Sequence, residues 1–312
     1  MSVAWIFPGQ GSQAVGMGQA LAEAYAEARE VFQEVDEAVS QHLFRLMREG
    51  PEEDLRLTEN AQPALMAVSL AVVRVLAAGG HRVETVTSHL AGHSLGEYTA
   101  LAAAGSLSLS DAARLLKRRG QAMQRAVPVG QGAMAAILGL DFDTVEEIAE
   151  AAAQMGVCAC ANDNAPGQVV LSGDTAALDR AIALAKEQGA KRAMPLPVSA
   201  PFHCALMQPA AEDMAEALSQ VVLSAPVVPI ISNVTAHPVT EPEQIRELLV
   251  AQVTHMVRWR ETVAQFRGWG IEQVAELGSG KVLAGLVKRI DRDLAITSVG
   301  TPEEVEAYAA TI

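Results

Sequence analysis

The sequence predicts an α/β fold: a parallel-sheet body with an inserted ferredoxin-like βαββαβ subdomain. Three observations carry this. A buried-strand run, "VAWIF", opens straight into the loop "PGQGSQ". A glycine-flanked serine in "AGHSLGEYTA" sits between a short apolar stretch and a helical pattern. From Gly132 to Ser199 the patterns run strand, helix, strand, strand, helix, strand. The body is therefore assigned to 1–128 and 198–312, and the insert to 129–197.

Helical patterns follow the first loop from about Gly18 to Arg48, "GPEEDL" is a turn, and an apolar helix begins near Gln62. Its run "ALMAVSLAVVRVLAAGG" is interrupted by Arg74 and is shorter than the ~20 apolar residues that cross a bilayer, so a buried helix ended by Gly79 and Gly80 is expected. "ETVTSHLAGHS" should hold the strand before Ser94. "LGEYTALAAAG" is then a helix stopping at Gly105, and Ser108 or Ser110 caps the next, roughly Asp111 to Arg125. Within the insert, "AMAAILGL", "VCACAND", "QVVLSG" and "KRAMPLPVS" are the strands, with helices over "DTVEEIAEAAAQM" and "TAALDRAIALAKEQG". The body resumes with a helix in "LMQPAAEDMAEALSQV", a strand in "PVVPIISNV", helices from Pro242 to about Gln252 and around Arg260, the strand "IEQVAELG" and the helix "KVLAGLVKRI".

The composition narrows the function. With 312 residues, half of them apolar, the chain can bury a large core. A formal charge of −14 argues against general nucleic-acid binding, which needs clustered cations, and against docking on an anionic membrane. Cys158, Cys160 and Cys204 form no disulfide framework and no zinc spacing, so they are expected as reduced core thiols of a cytoplasmic protein. "MSVAWIFPGQ" lacks the basic region of a signal peptide.

Gly92-His93-Ser94-Leu95-Gly96 fits G-x-S-x-G, the strand-to-helix turn that exposes a nucleophilic serine in hydrolase-like folds. A glycine-rich turn with a capping serine is the plainer alternative. The helix start behind Ser94 supplies free N–H groups for a developing oxyanion. Of seven histidines, His93 is too close in sequence to serve Ser94, and His42, His81 and His89 lie in polar surroundings that suggest exposed or turn positions. His203, in the apolar "SAPFHCALM" and C-terminal to the serine, is the best base. Asp141, Asp143 and Asp163 could complete a triad, but none has a distinctive setting. In "DAARLLKRRGQAMQRA", Arg119 falls within the apolar stripe of Ala112, Leu115, Leu116, Met123 and Ala126. It is expected in an internal ion pair, snorkelling to the surface, or holding a carboxylate-bearing substrate.

Six stretches together, "IFPGQGSQAVGMG", "GHSLGEYTAL", "RRGQAMQRAVPVGQGAMAAILGL", "NAPGQVVLSGD", "VSAPFHCALM" and "ELGSGKVLAGLVKRI", closely resemble the malonyl-CoA:acyl carrier protein transacylase family over nearly the whole chain. The resemblance implies a hydrolase-like body with a ferredoxin-like insert. It makes Ser94 the nucleophile and His203 its base, with the N–H groups of Gln10 and Leu95 as the oxyanion hole. Arg119 would bind the malonyl carboxylate, Asn162 and Asn164 would line the cleft, and Phe202 matches members that accept malonyl and exclude branched groups. A main-chain carbonyl would replace the triad acid, matched here to Arg258. The implied partners are malonyl-CoA and an acyl carrier protein, with no metal or redox cofactor, and a monomer is expected. Because such carriers are acidic, Lys281, Lys288 and Arg289, with Lys191 and Arg192, are the expected docking cations. The rival readings are the acyltransferase subunit of a malonate decarboxylase, a polyketide-synthase acyltransferase, a serine hydrolase and a non-catalytic carrier-binding module.

Overall fold

The computed structural model describes residues 2–198 and 200–312. Its described strands are β1 (Ser2–Phe7), β2 (His89–Gly92), β3 (Gly132–Leu138), β4 (Cys158–Ala165), β5 (Gln168–Asp174), β6 (Arg192–Pro195), β7 (Ile230–Ile231), β8 (Pro238–Val239), β9 (Ile271–Leu277) and β10 (Ala295–Val299). They form two sheets, ordered β10-β9-β1-β2-β7-β8 and β4-β5-β3-β6. In the first, all neighbours from β10 to β7 pair parallel, and β8 returns antiparallel beside β7. In the second, every pair is antiparallel.

β1 shows why the first sheet is covered on both faces. Val3, Trp5 and Phe7 enter the large core against the helices Thr58–Ala78 and Leu109–Ala126, while Ala4 and Ile6 alternate into a second core with Trp259, Phe266 and Val287. This near-continuous burial is what a parallel sheet between helical layers requires. The insert has its own core, in which Ile137, Leu171, Val145 and Leu178 pack the helices Phe142–Ala152 and Thr175–Glu187 on the second sheet. β4 of the insert is tied to the body by an isolated bridge in the loop before the helix Trp259–Gln265: the Val257 amide donates to the Ala161 carbonyl at 2.8 Å, and the Asp163 amide donates back to the Val257 carbonyl at 3.0 Å. Beside this bridge the buried carboxylate of Asp163 accepts from Arg260 at 2.7 Å.

Several elements differ from expectation. The helical patterns from about Gly18 to Arg48 are present, as the three helices Gln19–Ala24, Ala26–Val39 and Leu43–Glu49. The apolar helix starts at Thr58, so it is longer than the sequence run and long and apolar enough to cross a membrane; 83% of its most apolar window is buried inside the fold. The last insert strand covers only Arg192–Pro195, and Ser199, at the end of the expected strand, lies outside the described residues. The body strand in "PVVPIISNV" shrinks to Ile230–Ile231. β8, β10 and the helix Pro302–Ala309, begun by a Thr301/Glu304 capping box, had no sequence assignment. His89 begins β2 half-buried and stacked on Trp269 rather than lying in a turn. Ser108 is the cap of the helix Leu109–Ala126, its hydroxyl accepting from the Asp111 amide.

Candidate active site

β2 runs beside β1, and the chain leaves it through Ser94 into the helix Leu95–Ala103. Both glycines of the turn are there because nothing larger fits. A Cβ on Gly92 would lie 1.9 Å from the Gly96 backbone, and one on Gly96 would lie 2.3 Å from the Phe7 carbonyl oxygen. The turn holds Ser94 at φ 53°, ψ −108°, a conformation that a non-glycine residue adopts only when its surroundings impose it. Asn233 imposes it. Its carboxamide oxygen accepts from the Ser94 amide at 2.7 Å, and its nitrogen donates to the Gly92 carbonyl at 2.6 Å.

The Ser94 hydroxyl lies 2.8 Å from His203 Nε2. Nδ1 of the same ring lies 2.8 Å from the main-chain oxygen of Gln252. A carbonyl oxygen only accepts, so Nδ1 carries the proton and the Nε2 lone pair faces the serine. This is the tautomer a general base needs. Burial, then the Arg119 cation, pushes the His203 pKa down to about 3, so the ring is neutral around pH 7.

The carbonyl behind His203 therefore belongs to Gln252 and not, as the resemblance was matched, to Arg258. The Arg258 carbonyl is already taken by the Thr262 amide, because Arg258 caps the helix Trp259–Gln265. Its side chain is ion-paired with Glu261. Gln252 is the last residue of the helix Pro242–Gln252, where a carbonyl has no partner one turn on. That end of the helix also carries partial negative charge, which suits a transient imidazolium.

Arg119 is buried, as its place in the apolar stripe requires, yet no carboxylate touches it among the described residues. One terminal nitrogen donates to Gln62 Oε1 at 2.7 Å; the other donates to Gln252 Oε1 at 2.7 Å and to Ser94 Oγ at 3.1 Å. Its Nε has no acceptor, and Tyr98 lies under the guanidinium at 5.6 Å. Burial alone draws its pKa below the ordinary value. A cation held by neutral groups and pointing at a nucleophile is a site for an anion.

A cavity of about 400 Å³ opens over these groups. Gln10, Leu95, Ser94, His203, Arg119, Asn162 and Phe202 all line it, with Met123, Met134 and Leu196 as its apolar wall and Arg56 and Gln13 among its remaining lining residues. The Gln10 and Leu95 amides donate to no protein acceptor among the described residues. The Gln10 side chain is tied into the site: it accepts from Thr58 Oγ1 at 3.0 Å, Thr58 accepts from Gln62, and Gln62 accepts from Arg119. Asn164 is not in the cavity wall. Register breaks in β4 on both sides of Asn162 and Asp163 turn its carboxamide under the elbow, where its oxygen pairs with His93 Nε2 at 2.8 Å.

Sequence reasoning missed Asn233, Gln62, Gln252 and Glu97. Glu97 lay inside the quoted motif, a single acidic residue in "LGEYTALAAA", and that lone charge in an apolar helix was the usable signal. It is buried, and its Oε2 accepts from Gln252 Nε2 at 2.7 Å and from the Asn233 amide at 3.2 Å. Burial pushes its pKa up to about 7 against these two hydrogen bonds and the Arg119 charge. The three cysteines are unpaired thiols; burial raises the pKa of each.

A strained serine at a strand-to-helix turn, a histidine backed by a carbonyl and a cleft between two sheets define an acyl-transferring serine enzyme fold. The chain belongs to the acyl transferase domain family, whose model matches residues 4–292. It is 44% identical over 99% of its length to the malonyl CoA-acyl carrier protein transacylase of Bacillus subtilis, covering 97% of that protein. It is 44% identical to the Escherichia coli protein of the same name, over 97% of each chain. A crystal structure of the acyl-carrier-protein-S-malonyltransferase of Bartonella henselae superposes with a TM-score of 0.98 at 55% identity, covering 100% of this chain and 99% of that one. A malonyl-transacylase solved in complex with a type II polyketide acyl-carrier protein is 41% identical over the full length of both chains, with a TM-score of 0.97.

Proposed function

We propose that this protein transfers malonyl from malonyl-CoA to the phosphopantetheine thiol of an acyl carrier protein, through a malonyl ester on Ser94, in fatty-acid synthesis. The observation that carries the choice of acyl group is Arg119: a buried guanidinium, with no carboxylate partner, 3.1 Å from the Ser94 hydroxyl. A malonyl group ends in a carboxylate and fills that vacancy; an acetyl group does not.

His203 takes the Ser94 proton as Oγ attacks the thioester carbon. The oxyanion is held by the Gln10 and Leu95 amides, each such donor contributing ~3 kcal/mol. The carbon–sulfur bond breaks and the CoA thiolate takes the proton from His203. The carrier's thiol then gives its proton to His203, its sulfur attacks the ester carbonyl, and Ser94 leaves with that proton. Proton balance closes within Ser94, His203 and the two thiols, so the reaction is written without metal or redox cofactor. Asn162, His93 and Phe202 line the same cavity. The cleft between 1–128 with 198–312 and the insert 129–197 would then be the acyl site.

The carrier is proposed to dock on two groups of exposed cations, Lys281, Lys288 and Arg289 in the body, where Lys281 is paired with Glu304 at 2.9 Å, and Lys191 and Arg192 in the insert. Arg289 also donates to Gln168 of the insert at 3.2 Å. Unpaired cysteines fit a reducing, cytoplasmic setting, and a monomer suffices because every site residue comes from one chain. The test is product analysis with malonyl-CoA and a carrier. Transfer predicts malonyl-carrier in large excess over free malonate. Release of malonate at the same rate with or without carrier would make the protein a hydrolase.

A further inference from the structure

We propose that Glu97 is a positioning residue for acyl selectivity: it fixes the Gln252 carboxamide with its oxygen toward Arg119. The inference rests on Arg119 being the partner of the malonyl carboxylate.

The Gln252 side chain stands between three groups of fixed demand. Its oxygen accepts from Arg119 at 2.7 Å. Its nitrogen donates to Glu97 Oε2 at 2.7 Å and to the Ser94 carbonyl at 3.0 Å. A guanidinium only donates, a carbonyl only accepts, and Glu97 presents an accepting oxygen. Turning the carboxamide over would set donor against donor at Arg119 and oxygen against oxygen at Ser94 and Glu97. All of this lies out of water, where unpaired polar groups are costly.

Glu97 is the member of this set that the transfer chemistry does not otherwise use. Its Oε2 also accepts from the Asn233 amide, and Asn233 in turn holds the Ser94 amide and the Gly92 carbonyl. Glu97 thus sets the orientation of Gln252 from below while touching neither acyl group nor thiol. Without an acceptor at this point, the carboxamide nitrogen loses its closest partner. The carboxamide nitrogen is then held mainly by the longer bond to the Ser94 carbonyl, and the oxygen it presents to Arg119 is less firmly placed. A malonyl group depends on the aim of Arg119; an acetyl group does not.

The test compares kcat/KM for malonyl-CoA and acetyl-CoA, with carrier present, in wild type and four variants. Glu97→Met removes the acceptor at nearly constant volume. Glu97→Gln keeps an oxygen that can take the Oε2 place. Gln252→Met breaks the same link from the other side while keeping the main-chain carbonyl that serves His203. The fourth is the Glu97→Met/Gln252→Met double variant. The malonyl-to-acetyl preference is expected to narrow at least ~10-fold in Glu97→Met and in Gln252→Met. The double variant should narrow it no further than the worse single, because the two act through one bond. Glu97→Gln should restore most of it. A wild-type preference in Glu97→Met, multiplying effects in the double variant, or a Glu97→Gln as impaired as Glu97→Met overturns the inference. If Glu97→Met does not fold, an unchanged preference in Gln252→Met overturns it by itself. Arg119→Ala run alongside separates the two levels: if it keeps the malonyl preference, the reading of Arg119 fails first.

Discussion

Replacing Arg119 by Ala removes the one buried arginine of the cavity among the described residues, and the size of the effect follows from its burial. The side chain is 1% exposed, so an acyl carboxylate meeting it forms a desolvated charge pair. Removing one partner of such a pair typically costs about 3–5 kcal/mol, whereas an exposed pair is worth only ~0–1 kcal/mol. At ~1.4 kcal/mol per decade, the buried case predicts a loss of roughly two to four orders of magnitude in kcat/KM for malonyl-CoA. The guanidinium also donates to Ser94 Oγ, so its removal disturbs the nucleophile for every substrate. That shared disturbance cancels in the ratio of malonyl to acetyl transfer. The assay is steady-state transfer of each acyl group to carrier by Arg119→Ala and wild type, and the ratio should fall at least ~100-fold. A change under ~10-fold, the size an exposed pair would give, refutes the assignment.

Arg258→Ala should leave kcat within about threefold of wild type, since its side chain meets Glu261 on the surface and its carbonyl is used inside a helix; a loss of two decades in the same transfer assay would return it to the site. His203→Gln should flatten the acid limb of folding stability. The folded His203 pKa is depressed to about 3 from 6.5, so between those values the unfolded chain binds a proton that the folded one does not, and stability falls as pH falls. Denaturant titrations should show wild type losing about 1.4 kcal/mol more than the variant per pH unit between about pH 6 and about pH 4, and parallel losses would contradict a buried neutral ring. Reversing Lys288 and Arg289 to Glu should raise the apparent KM for carrier several-fold at unchanged KM for malonyl-CoA; equal changes in both would move the docking surface elsewhere.

The parts of this protein that were legible in its sequence are those set by local pattern. β1, the Gly-x-Ser-x-Gly turn, the order of the insert's elements and the misplaced Arg119 each follow from periodicity or from a residue type in the wrong surroundings. β7 and β8, two residues each, have too little sequence to show a period. The groups that hold the site together were hidden for another reason. Asn233, Gln62 and Gln252 are ordinary polar residues whose meaning comes from partners 139, 57 and 133 positions away. The Arg258 error has the same origin: which carbonyl is left unused depends on where a helix ends, and the five residues between Gln252 and Arg258 look alike in that respect. Asn162 and Asn164 share a strand, but the register breaks beside them send only one to the cavity.

The most direct test is intact-mass spectrometry after brief exposure to malonyl-CoA. A single malonyl adduct should appear, map to Ser94, vanish on adding carrier protein and be missing from Ser94→Ala. An adduct that persists in Ser94→Ala, or one on Ser94 that carrier cannot discharge, would contradict transfer through a malonyl-serine ester.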